Sequence, residues 1–170
     1  MKFVTTMTWP APLARVLAMI SSTEYAHLRL SRMGYEAFEV LSTSDDGRHF
    51  SLTALVTGKP SVKLPALAQK FISSEQAVDV EQTDRWDRET ASGSLQLINK
   101  SVSALSIAAS MQLSECEGIT TNTLHWDVSC SIPLIGSKLA SIIADDIRAK
   151  AAQNEAVSRE ILAERYENLA

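Results

Sequence analysis

The sequence predicts an α+β fold in which a seven-stranded antiparallel sheet curves around one long C-terminal helix. Three observations lead to this prediction. Apolar and polar residues alternate with a period of two through most of the chain, which is typical of strands with one buried and one solvated face. Two short helical patterns directly follow the first strand. After Gly136 no glycine or proline interrupts the chain, which favours a long final helix.

The chain opens with a predicted strand, Lys2 to Trp9, in which apolar and hydroxyl side chains alternate. Two prolines then end the strand. Ser21 to Thr23 offers an N-cap for a second helix, about Glu24 to Met33. The first helix is indicated by apolar residues that recur at helical spacing: Leu13, Val16, Leu17 and Ile20.

Six further strands are predicted after Gly34. Phe38 and Val40 lie in the first arm of a hairpin, and Phe50 lies in the second arm, after a turn at residues 44–47. A short helical connector is expected at residues 64–72. Four strands follow, with these residues on their inward faces: Val78, Val80, Gln82, Asp84, Trp86, Leu95, Leu97, Leu105, Ile107, Ala109, Met111, Leu113, Leu124, Trp126, Val128, Cys130 and Ile132.

The final helix, expected over about residues 135–168, carries an apolar stripe of Leu139, Ile143, Ile147 and Ala151. A sheet with one apolar face must bury that face, and only this helix is long enough to cover it. The helix is unusually rich in alanine, which either leaves space beneath the sheet or reflects the high helix propensity of alanine on a solvated face. The alanines concerned are Ala140, Ala144, Ala149, Ala151 and Ala152.

This order of elements, with WPAPLARVLAMISSTEY near the start and IPLIGSKL before the last helix, resembles the START-like or Bet v 1-like (SRPBCC) helix-grip superfamily. It resembles in particular a bacterial branch of unassigned function. The resemblance implies a single START-like domain over residues 1–170. It also implies an apolar cavity between sheet and helix, which the superfamily uses for lipids, sterols, polyketides and hormones. Relatives often carry an acid where this chain has Ala140, so the role of that acid does not transfer.

The candidate ligand-binding residues are those directed toward this cavity by strand alternation and by the helical stripe. Asp84 shares the inward face of its strand, and a carboxylate on an apolar wall needs a partner or a raised pKa. A bulge that turned Asp84 outward would remove that requirement. The candidate set is Phe50, Gln82, Asp84, Trp86, Met111, Leu124, Trp126, Leu139, Ile143 and Ile147.

Composition argues against several other classes. The net charge is -4 and the basic residues are scattered, so no nucleic-acid partner is expected. No apolar run approaches the roughly 20 residues of a membrane span, and the N-terminal segment does not resemble a signal peptide. A cytoplasmic protein is therefore expected. No spacing of Cys and His suggests a metal site, and no cofactor is expected.

Three functions remain open. The favoured hypothesis is binding of a small hydrophobic ligand, since no catalytic constellation is recognisable and an enzyme is the less favoured class. The second is an enzyme of polyketide cyclase or dehydratase type that uses Asp84 as acid or base. The third is an interaction module in which the C-terminal segment AVSREILAERYENLA extends beyond the domain and pairs with another chain, for example in a homodimer.

Overall fold

The computed structural model describes residues 1–59, 69 and 77–168. In this part of the chain, a curved antiparallel sheet has seven strands in the order β1, β7, β6, β5, β4, β3, β2. The predicted fold class is confirmed. The strands are β1 (Lys2–Trp9), β2 (Ala37–Asp45), β3 (His49–Gly58), β4 (Val78–Asp87), β5 (Ser92–Asn99), β6 (Leu105–Cys116) and β7 (Ile119–Cys130). The helices are α1 (Leu13–Ile20), α2 (Thr23–Arg32) and α3 (Gly136–Ile161).

Residues 1–59 follow the predicted pattern closely. The bounds of β1 agree with the prediction, and α2 begins after Ser22, whose Oγ accepts a hydrogen bond from the Tyr25 backbone N–H at 3.2 Å. This bond satisfies one of the free N–H groups at the start of the helix. Gly34, with φ of +77°, follows the end of α2 in a conformation that favours glycine. The connector predicted at 64–72 lies outside the described residues apart from Gln69.

The C-terminal helix differs from the prediction at its end. The α-helix stops at Ile161 and continues as a π-helical turn, Leu162–Tyr166. The Tyr166 hydroxyl lies 2.8 Å from Ser22 Oγ, and Arg32 binds the Glu164 carboxylate at 2.6 Å. Val157, Ile161, Leu162 and Tyr166 of the C-terminal segment are buried within the same chain. For the described residues, the expectation that the segment extends beyond the domain is therefore wrong, whereas pairing with another chain stays a prediction.

The long helix packs closely against β1 and β7, and we call this contact the seam. A Cβ atom added to Gly136 would lie 2.2 Å from the Cys130 carbonyl oxygen, so the helix begins in direct contact with the end of β7. Ala140 and Ala144 are buried and follow Gly136 at intervals of four residues, on the same face of the helix. Small side chains thus allow the helix to approach the sheet.

Hydrogen bonds hold the seam at the other end of the helix. Trp9 Nε1 donates to Ser158 Oγ at 3.0 Å, and Arg159 Nε donates to the Thr8 carbonyl at 2.6 Å. Trp9 and Ser158 are both fully buried. Because a buried donor without a partner is costly, these bonds restrict the position of the helix over β1.

None of the helices in the described part of the chain is long and apolar enough to span a membrane.

Candidate functional site

A cavity with two joined lobes lies between the concave face of the sheet and α3. The first, here the polar lobe, has a volume of about 170 Å³ and lies beside α2. The second, here the apolar lobe, has a volume of about 210 Å³ and lies toward the start of α3. Both lobes are lined by Tyr35, Gln82, Leu97, Ile147 and Lys150, so they are neighbouring parts of one interior space.

The polar lobe combines aromatic and aliphatic walls with several polar groups. Its lining comes from β1, from β3 to β7, from all three helices, and from Met33 and Tyr35, which lie between α2 and β2. Its polar lining includes Tyr25, Arg29, Gln82, Asp84, Asn122 and Asn154.

Asp84 is the central carboxyl of the polar lobe. It is partly buried and accepts a hydrogen bond from Gln82 Nε2 at 2.6 Å. Burial raises the pKa of Asp84 above its ordinary value of 3.8, although the nearby Arg29 and the Gln82 bond act in the opposite direction. The pairing of β3 with β4 keeps a constant register across this region, so no bulge turns Asp84 outward.

Arg29 reaches the polar lobe from α2. Burial alone would lower the pKa of Arg29, but attraction to Tyr25, Asp84 and Tyr35 outweighs it and the pKa is raised. The Arg29 guanidinium group forms no hydrogen bond or ion pair with any residue that the structure describes. Its guanidinium group is therefore a cation with free donors beside a cavity.

Tyr25 and two asparagines complete the polar groups. The Tyr25 hydroxyl lies 2.8 Å from Ser158 Oγ, and burial raises its pKa above the ordinary value of 10.0. Asn122 is only 4% exposed, and its side-chain oxygen has no hydrogen-bond partner among the described residues. The side-chain oxygen of Asn154 is also buried, and no residue that the structure describes donates to it. Such groups are uncommon in folded proteins and invite a functional explanation.

The apolar lobe has a different lining. Valine, leucine and isoleucine predominate in its wall, with Asn99, Lys59 and Asp146 among its polar residues. Lys150, shared by both lobes, binds the Asp146 carboxylate at 2.8 Å and is therefore paired. The aliphatic wall is formed by Val56, Val78, Val80, Leu97, Leu105, Ile107, Ile142, Ile143 and Ile147.

The structure places most of the predicted site residues on the cavity wall. Ile143 lines the apolar lobe, whereas Leu139 lines neither lobe and is instead buried in the packed core. Leu139 is thus a wrong choice as a cavity residue, because the start of α3 lies too close to the sheet. The polar lobe is lined by Phe50, Gln82, Asp84, Trp86, Met111, Leu124, Trp126 and Ile147. Whether these side chains contact a ligand stays a prediction.

Sequence reasoning missed four of these polar residues, Tyr25, Arg29, Asn122 and Asn154. The signals were present in two cases. Asn122 lies on the same face of β7 as Leu124 and Trp126, because these residues alternate along the strand. Asn154 follows Ile147 by seven residues and so lies on the same face of α3. Arg29 had no comparable signal, since α2 is short and its buried face depends on how it packs.

No group of three or more His, Cys, Asp or Glu side chains that could hold a metal ion occurs within residues 1–59, 69 and 77–168.

Solved structures with the same fold confirm the helix-grip architecture. The Zhui aromatase/cyclase from a Streptomyces species matches with a TM-score of 0.68 and 9% identity over 99% of each chain. A START superfamily protein from Mycobacterium smegmatis matches with a TM-score of 0.59 and 12% identity, over 94% of this chain and 98% of the other. Norcoclaurine synthase from Thalictrum flavum gives a TM-score of 0.59 and 12% identity, over 95% and 86% respectively. At these identities the likeness establishes the fold alone.

A search of curated proteins found no match to this chain. A family model described as protein of unknown function (DUF2505) matches residues 5–162. This range includes β2 to β7 and α1, α2 and α3 in full, and β1 from Thr5 onward. The chain therefore belongs to the DUF2505 family, and its fold is that of the START-like superfamily.

Proposed function

We propose that this protein binds a small, largely apolar molecule in the cavity between the sheet and α3. The observation that carries the proposal is the pair of joined lobes, about 170 and 210 Å³, within an otherwise packed core. An engineered apolar cavity of about 150 Å³ binds benzene, so each lobe is large enough for about one ring or an equivalent alkyl segment.

The cost of an empty cavity supports the same proposal. Protein interiors are normally filled to crystal-like density, and cavity-lining residues lose packing contacts. A ligand that occupied both lobes would restore those contacts. A lipid, a sterol and a polyketide each combine an apolar body with few polar groups, and all three classes are compatible with this lining.

The proposal is tested by filling the apolar lobe. The uncharged fluorescent probe N-phenyl-1-naphthylamine is titrated into the unmodified protein, into Ile143→Trp and into Ala149→Trp. Ile143 lines the apolar lobe, and Ala149 is exposed on the same helix. We expect the probe to bind the unmodified protein and Ala149→Trp alike, and to bind Ile143→Trp at least about tenfold more weakly, since the indole occupies the lobe. Equal binding to all three, or no binding to the unmodified protein, would overturn the proposal.

A second candidate function is an enzyme that uses Asp84 as a general acid or base. The observation that favours it is a carboxyl with a raised pKa that faces a cavity and interacts electrostatically with the Arg29 guanidinium. Two of the structural neighbours are named as enzymes, an aromatase/cyclase and a synthase. A compound retained through purification from the native host would serve as the test substrate. A folded Asp84→Asn variant that turned it over at the original rate would exclude this role.

Other sequence predictions remain predictions, namely a cytoplasmic location, no nucleic-acid partner and a homodimer. Light scattering at several protein concentrations tests the homodimer directly, because its average mass rises with concentration when chains associate.

A further inference from the structure

The polar lobe contains hydrogen-bond donors and acceptors that have no partner among the described residues. Arg29 offers hydrogen-bond donors that no described residue accepts. Asp84 accepts one bond, from Gln82, and has capacity for more. Asn122 and Asn154 each carry a buried side-chain oxygen that accepts no hydrogen bond from the described part of the chain. An occupant of this lobe must therefore both accept and donate hydrogen bonds.

Charge restricts the occupant further. Arg29 and Asp84 carry opposite charges when both are ionised. Their charges balance, so a ligand does not need to be charged to neutralise the lobe. The remaining cation of the wall, Lys150, is already paired with Asp146 at 2.8 Å. An anionic group placed at Arg29 would also face Asp84 and the oxygens of Asn122 and Asn154, which repel it.

A hydroxyl group can both accept and donate hydrogen bonds, and it carries no charge. It carries one donor and two acceptor lone pairs, so it can accept from Arg29 and donate to Asp84 or to an asparagine oxygen. An amide can turn either its oxygen or its nitrogen toward such a group. A pure hydrocarbon, in contrast, would bury these polar groups without partners, which is costly.

The neighbouring apolar lobe determines what the rest of the molecule must be. Its wall is mainly aliphatic, and it shares Tyr35, Gln82 and Ile147 with the polar lobe. A molecule that spans both lobes therefore has its polar groups at one end only. With each lobe near the size of a single ring, the ligand has roughly the size of two or three fused rings or of a ten-carbon chain.

We infer that the ligand is an uncharged amphipathic alcohol, diol or phenol whose hydroxylated end is bound by Arg29, Asp84, Asn122 and Asn154, with its apolar remainder in the apolar lobe. This inference rests on the proposed function and adds the orientation and the chemical class of the ligand. It predicts discrimination between compounds that differ only at the polar end.

The test compares three ten-carbon compounds by isothermal titration calorimetry: 1,2-decanediol, 2-decanone and decanoate. The diol donates and accepts, the ketone only accepts, and decanoate is an anionic acceptor. We expect the diol to bind at least about tenfold more tightly than either of the others, the effect of roughly one additional satisfied hydrogen bond.

Three variants locate the effect. Arg29→Leu and Asn122→Leu replace polar groups of the lobe with a side chain of similar size, and each is expected to reduce the preference for the diol. Arg32→Leu is the matched control on the same helix, because Arg32 binds Glu164 on the protein surface. The control is expected to keep the preference for the diol. Circular dichroism confirms that each variant is folded before titration.

The outcomes separate the two proposals. Equal affinity for the three compounds, or tighter binding of decanoate, would overturn the hydroxyl inference and leave the proposed function standing. A preference for the diol that persists in both Arg29→Leu and Asn122→Leu would also overturn it. Failure of all three compounds to bind the unmodified protein would count against the proposed function itself.

Discussion

The two sides of α3 meet the sheet in different ways. At the seam with β1 and β7, Gly136 lies in contact with the backbone of Cys130, and Ala144 is 0% exposed. Over β3 to β6 the same helix lies beside the cavity, and Ala151 lines the polar lobe. A small side chain therefore has opposite consequences in the two regions. At the seam it permits close packing, and at the cavity it leaves space.

Hydrogen bonds explain why the helix does not move to fill that space. Ser158 lies within 3.0 Å of both Trp9 Nε1 and the Tyr25 hydroxyl, and Arg159 donates to the Thr8 carbonyl. Any shift of the helix toward β4 would break the two buried bonds of Ser158, each with a net worth of about 1 kcal/mol and a larger penalty if a partner is left unpaired, as well as the exposed bond of Arg159. The curved sheet meanwhile keeps the opposite wall at a distance, and the cavity persists between them.

The largest expected effect is at the seam. Gly136→Val would place a branched side chain where even a Cβ atom lies 2.2 Å from the Cys130 carbonyl oxygen. Because backbone must shift to relieve this contact, we expect the free energy of unfolding to fall by about 3 kcal/mol or more. Urea denaturation measures it. Ala152→Val, on the exposed face of the same helix, is the control and is expected to lose less than about 1 kcal/mol. Similar losses in both variants would contradict close packing at the seam.

The same substitution at two alanines separates the two regions directly. Ala144→Leu overfills the seam and is expected to lower the free energy of unfolding by about 1–3 kcal/mol. Ala151→Leu enters the polar lobe, so its effect on stability should stay within about 1 kcal/mol while binding of N-phenyl-1-naphthylamine weakens. Urea denaturation and fluorescence titration are the two measurements. A larger loss of stability in Ala151→Leu than in Ala144→Leu would contradict the assignment of close packing to the seam and of open space to the cavity.

A third expected effect concerns the carboxyl of the polar lobe. Burial raises the pKa of Asp84 in the folded state above its ordinary value of 3.8. At a pH between the ordinary pKa and the folded-state pKa, the folded protein therefore retains a proton that the unfolded chain has lost. By linkage, this cost to stability is absent below the unfolded pKa and grows as the pH rises toward the folded pKa. We therefore expect Asp84→Asn to be more stable than the unmodified protein at pH 7, by about 1.4 kcal/mol for each unit of pKa shift.

Urea denaturation at pH 7 and near pH 3.5 checks this expectation. The two proteins should differ least at the lower pH, where Asp84 is protonated in both the folded and the unfolded state. A variant that was less stable than the unmodified protein at pH 7, with the same difference at pH 3.5, would show that Asp84 is not destabilised by burial.

The alternation along the strands was enough to predict which side chains face the interior. Five apolar residues predicted to face inward from their alternate positions along the strands do line the polar lobe: Phe50, Trp86, Met111, Leu124 and Trp126. Parity is reliable because successive side chains of a strand point to opposite faces of the sheet. For Asp84 the alternation predicted an inward side chain, whereas a bulge in the strand would have turned it outward. The regular register of β3 with β4 contains no bulge, so Asp84 faces inward.

Helical residues were predicted less well. Leu139 and Ile143 belong to one apolar stripe, yet the first is buried in the packed core and the second lines the apolar lobe. Helical periodicity defines a face but not the distance from that face to the sheet. The C-terminal segment illustrates the same limit, because its apolar spacing suits a partner chain and its own α1 and α2 equally well.

The sequence by itself determined the order of elements, the inward face of each strand and the need for one long helix to cover the sheet. These are local properties, because they follow from side-chain periodicity along a short segment. Only the tertiary structure decided where the helix touches the sheet and where it leaves a cavity, and only it brought Arg29 of α2 to Asp84 of β4. Those relations join residues far apart in the chain, and they depend on sheet curvature and helix position, which no local pattern specifies.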